Sequence, residues 1–162
     1  RLPVKLRRAA AAEAVQLAAN ASWRDPRPAY SHYISGRANF RTNPREAARH
    51  FAQAEALSAA QQETGIQRAH LALHLAAIDL RAGDIEKAIS RTSEAATAAA
   101  AAQNAWLLAD LMMIRSEALR VQGRASEAQK VRLDSIAWAR YGFGSEADIE
   151  ERWQDIAELT PN

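Results

Sequence analysis

Three short stretches recur along this chain and limit what it can fold into: Thr42-Asn43-Pro44-Arg45-Glu46-Ala47, Gly83-Asp84-Ile85-Glu86-Lys87-Ala88 and Gly123-Arg124-Ala125-Ser126-Glu127-Ala128. Each reads as a turn, a helix start, an acidic residue and an alanine, and each follows an apolar pattern of helical period. Ala47, Ala88 and Ala128 stand 41 and 40 residues apart. A period in that range predicts a helical repeat array, in which each unit covers its apolar face by packing on the next. Arrays of this kind bind other proteins more often than they carry out chemistry.

The composition agrees with the pattern. Of 162 residues 39 are alanine, the residue of highest intrinsic helix propensity, against six glycines and five prolines. The fold class is therefore all-α. The length suits one domain able to bury a core without staples. With no cysteine, disulfides and thiolate metal sites are excluded. No apolar run approaches the roughly 20 residues that span a bilayer, and the Ala95–Ala102 segment is too short and too weakly apolar.

Helix punctuation predicts eight helices with short connections. The first covers Val4 to Asn20 and ends at the proline-containing segment 20–28. The second covers Ala29 to Arg41. Asn43 caps the third, with Pro44 at its first position and Glu46 completing a capping box. That helix runs to about Gln62 and buries Ala47, Phe51, Ala54 and Leu57. The fourth covers Gln67 to Ala82, where Gly83 supplies a left-handed stop and Asp84 the next N-cap. The fifth runs from Ile85 to Ala102, the sixth from Trp106 to Gln122 and the seventh from Ala125 to Tyr141. Ser145 and Asp148 cap a last helix that ends near Leu159.

The unit from Leu75 to Ile89 resembles the centre of a tetratricopeptide repeat. Ala76, Ala88 and Ala95 match the family's small packing positions, and Gly83-Asp84 matches its turn. Phe51 and Ala54 match the large and small pair of a second helix. The resemblance covers residues 28–141 as three units, preceded by an N-terminal helix and linker (1–27) and followed by a capping helix (142–162). It implies an α-solenoid of antiparallel helical hairpins in a single domain. The chain departs from the family in its period, which is near 40 where about 34 is usual. It also has Asp79 at a position where an aromatic is usual, and it lacks the terminal proline.

In that family the first helix of each unit lines a concave surface. The matching register implies a groove lined by His70, Leu73, Ala77 and Arg81, then by Asp110, Met113, Glu117 and Arg120. Arg37 and Arg41 extend it in the first unit. A protein or peptide partner is the expected ligand, with no catalytic residue and no cofactor. The alternative is a sensing domain of a larger regulator.

Charge adds a second expectation. Residues 1–50 carry a net +7 and the remainder −5, so the N-terminal end suits an acidic protein surface. The block Arg1, Lys5, Arg7 and Arg8 lacks interleaved aromatics for stacking on nucleic-acid bases, and its alanine-rich face inserts poorly into lipid. His70 and His74, four apart, have metal-ligand spacing, but no carboxylate or third histidine lies nearby in sequence. They are read as groove-lining or solvent-facing, with no metal. Trp138, Tyr141, Phe143 and Trp153 are expected to pack beneath the last helix. A start without Met fits either an exported, processed protein, periplasmic in a bacterium, or a fragment of something longer, with a cytoplasmic location as the alternative.

Overall fold

A computed structural model describes residues 28–60, 65–143 and 145–157. Among them are seven helices and no strand: α1 (Pro28–Asn39), α2 (Pro44–Ala60), α3 (Gly65–Ala82), α4 (Ile85–Ala101), α5 (Ala105–Val121), α6 (Ala125–Phe143) and α7 (Glu146–Ala157). The helix expected over Val4 to Asn20, with its basic residues Arg1, Lys5, Arg7 and Arg8, lies outside the described residues. Contacts divide the chain into two compact units, Arg1–Glu63 and Thr64–Asn162.

In the first unit α1 packs along α2. The two backbones come close because Gly36 has no side chain. A Cβ there would sit 2.6 Å from Phe51 Cε1, and Phe51 is fully buried. Tyr33 and Phe40 flank the Phe51 ring at centroid distances of 6.1 and 6.2 Å. Half of the expected capping box forms: the Glu46 N–H donates to Asn43 Oδ1 at 3.3 Å. The other half does not, because the Asn43 N–H is already given to the Asn39 carbonyl at 2.8 Å. The Glu46 carboxylate turns instead to Arg49 at 2.5 Å.

The second unit is joined by one turn made twice with glycine and once without it. At Gly83 (φ 85°) the Gly83 N–H donates to the Leu80 carbonyl and the Asp84 N–H to that of Asp79. This is the Schellman arrangement, which satisfies carbonyls that a helix end leaves unpaired. Gly123 (φ 82°) repeats it with Arg120 and Leu119. Gln103 (φ 54°) repeats it with Ala100 and Ala99. The Asp84 side chain makes no cap hydrogen bond, contrary to expectation. Asn104 does cap its helix, its Oδ1 accepting from the Leu107 N–H at 3.1 Å.

The core of this unit forms around Ala69, Ala95, Ala99, Leu107, Leu108 and Leu111. Helix α5 is its hub, packing on α3, α4, α6 and α7. Small residues set the helix spacing. Ala76 and Ala88 are fully buried where α3 meets α4. Ser116 on α5 donates to the Ala128 carbonyl on α6 at 2.8 Å. Gly36, Ala76 and Ser116 are spaced by forty residues, and all three are buried. They repeat on the first helix of each pair what Ala47, Ala88 and Ala128 repeat on the second.

Candidate functional site

The residues expected to line a groove divide into three kinds. Arg37 and Arg41 are exposed at the end of α1 and in the turn after it, with the Arg37 guanidinium 5.8 Å from the centre of the Tyr33 ring. Arg81 is exposed at the end of α3, and His70 is half-buried on the same helix. His74 Nδ1 lies 2.9 Å from the His70 carbonyl, which makes that nitrogen the donor and fixes the tautomer.

The α5 set departs furthest from the expected groove. Met113 is fully buried, so its side chain is part of the core and not of an open surface. Glu117 is also buried and accepts a forked pair from Arg120, Nε to Oε2 at 2.9 Å and a terminal nitrogen to Oε1 at 2.6 Å. Asp110 meets Arg152 of α7, Nε to Oδ1 at 3.2 Å. Burial pushes the Asp110 carboxyl up to about 6, outweighing the opposite pull of Arg152. These carboxylates are occupied within the fold. The cause is the place of α5, where 11 of 17 residues are buried and no side of the helix is left as an open stripe.

A similar internal role falls to Asp79. It is buried and accepts from Arg91 of α4 at 2.7 Å, with Lys87 at 3.4 Å. Asp79 is thus matched by two cations one helix away, tying α3 to α4.

Three large aromatics are exposed on the second unit. Trp106 is 48 %, Trp138 44 % and Tyr141 82 % exposed. Trp138 and Tyr141 meet edge to face at 6.4 Å. Trp106 and Tyr141 line an open cleft of about 420 Å³ together with Ala102, Gln103, Asn104, Ala105 and Gly142. Gly142 lets α6 approach α5, since a Cβ there would lie 3.0 Å from Trp106 Cδ1. Arg152 stands over the Trp106 ring at 5.5 Å. Of the four aromatics expected beneath the last helix, Trp153 is buried, with Arg132 over its ring at 4.6 Å. Trp138 and Tyr141 face outward instead. No family model, curated protein or solved structure matches this chain.

The strained turn falls on this cleft. A residue with a side chain costs about 1–3 kcal/mol in the left-handed region, and Gln103 carries that cost on the cleft wall. The equivalent turns at Gly83 and Gly123 avoid it. The sequence offered one signal for the surface, namely two exposed-face aromatics at i and i+3 on α6, beyond the apolar positions its core requires.

Two further observations bound the chemistry. Among the described residues, no group of three or more His, Asp or Glu side chains is placed to hold a metal ion. No helix among them is long and apolar enough to cross a membrane.

Proposed function

We propose that this chain is a non-catalytic protein-interaction module built from tetratricopeptide-like helical hairpins. In this reading α1–α2, α3–α4 and α5–α6 are three repeat units of a solenoid, and α7 is its cap. The partner is a protein or peptide that docks apolar side chains against Trp106, Trp138 and Tyr141. The basic N-terminal stretch offers a second contact to an acidic region of the same partner. The observation that carries the proposal is the coincidence of a strained, non-glycine turn at Gln103 with an exposed aromatic cleft. Large exposed aromatics mark interaction surfaces, and local strain is kept where a side chain is needed.

The test is affinity capture with mass spectrometry, comparing the wild-type chain with Trp138→Ser/Tyr141→Ser and with Arg37→Glu/Arg41→Glu. Both aromatics are solvent-facing, so helix content by circular dichroism stays unchanged. The aromatic variant is expected to weaken the captured interaction by about 2 kcal/mol or more, roughly thirty-fold. An unaltered set of captured proteins from that variant rules the surface out. Loss in the arginine variant alone moves the site to the first unit.

A further inference from the structure

We propose that His32 and His50 form a proton-counting switch on the α1–α2 hairpin: one proton shared between the rings holds it closed, and a second opens it. His32 Nδ1 and His50 Nδ1 are 3.0 Å apart, across the two helices. Their ring centres are 5.2 Å apart, close to the 3.0 Å contact plus the two nitrogen-to-centre distances. The rings therefore point nitrogen to nitrogen along a line. The observed alignment is that of an N–H···N hydrogen bond.

The neighbours assign the roles. His50 Nε2 lies 3.4 Å from Glu46 Oε1, and an ionised carboxylate only accepts, so His50 keeps its hydrogen on Nε2. Its Nδ1 is then the acceptor and His32 Nδ1–H the donor. Arg49, 2.5 Å from the same Glu46 oxygen, fixes the carboxylate. The charged and titratable groups acting on His50 among the described residues are thus His32 from α1 and Glu46 and Arg49 from α2.

A second Nδ1 proton, present once both rings are imidazolium, sets two N–H groups head to head and replaces attraction with repulsion between like charges. Burial disfavours protonation of His50, His32 adds to that, Glu46 opposes it and Arg49 adds a further, smaller push. Because the folded value is depressed, the sign is fixed. The hairpin keeps its full stability above the ordinary histidine value of 6.5 and loses it as pH falls below that value. The pair adjoins Phe51, so opening it uncovers the aromatic packing that holds α1 to α2.

The experiment uses the full chain with a chelator present. Hydrogen exchange of α1 and α2 amides, corrected for intrinsic rates, is compared at about pH 7.5 and about pH 5. In the wild type, protection is expected to fall about tenfold or more. His32→Gln is expected to flatten the response, because its amide can turn to accept from a protonated His50. Glu46→Gln is expected to deepen the loss at about pH 5, because removing the one group that favours protonation depresses the folded value of His50 further. Imidazole ¹⁵N shifts at neutral pH should show His32 as the Nδ1–H and His50 as the Nε2–H tautomer. The opposite tautomers, or equal pH responses in wild type and His32→Gln, overturn the switch. So does a response that appears only when zinc or nickel is added.

Discussion

Gln103 stands where its two counterparts are glycines, and the difference is measurable. Replacing it with glycine removes a Cβ from the left-handed region while leaving the turn's hydrogen bonds, which are all backbone, intact. Gln103→Gly is expected to stabilise the chain by about 1 kcal/mol, a rise of about 2–4 °C in a thermal melt. An unchanged or lower melting temperature would show that the side chain makes up its own strain inside the fold. The same variant should bind the partner less tightly if that side chain is kept for the cleft. Gly83 and Gly123 were legible as stops because glycine is the residue that such a turn prefers. Gln103 was not, since nothing in its identity marks a positive φ. The helix end there was readable only from the alanine run giving way to Asn104 and Trp106.

Helices α5 and α7 meet through an ion pair that does not act as the glue it resembles. Asp110 has its carboxyl raised from 3.8 to about 6 although Arg152 is 3.2 Å away, so desolvation exceeds attraction. An acid with a raised folded value binds more protons folded than unfolded between those two values. The resulting cost is present above about pH 6 and is relieved as pH falls through that value toward 3.8. Asp110→Asn is therefore expected to stabilise the chain by roughly 1–3 kcal/mol at about pH 7.5, and by about half as much near pH 5. Denaturant unfolding at the two pH values measures it, and a loss of stability at pH 7.5 would show that Arg152 dominates. The extent of α5 was legible from its apolar spacing. Its burial on several sides was not, because a stripe along one helix says nothing about how many neighbours that helix has. Asp110, Met113 and Glu117 looked like a polar-and-adaptable face for that reason.

At the scale of the molecule the first unit depends on one interlock, Gly36 against Phe51. Alanine at position 36 gains up to about 1 kcal/mol of helix propensity but drives a Cβ to 2.6 Å from a ring with no exposed surface. Overpacking of that kind costs about 1–3 kcal/mol, so the net effect is destabilising. Because contacts divide at Glu63, exchange protection should drop first in α1 and α2. A uniform loss through α3 to α7 would show that the two units unfold as one. The seven described helices were each legible within a few residues, since caps, prolines and glycines act locally. The His32–His50 pair was not, because residues 18 apart meet only once the crossing of two helices is known.

The turns at 83, 103 and 123 fall at equal intervals of twenty residues and close with the same backbone hydrogen bonds. Joints that are alike in this way are interchangeable. A forty-residue length of chain cut at one joint can be spliced in at another with its ends already shaped to fit. Growth of such a protein by duplication therefore needs no new linker, only a fresh pair of helices whose small residues match those they meet.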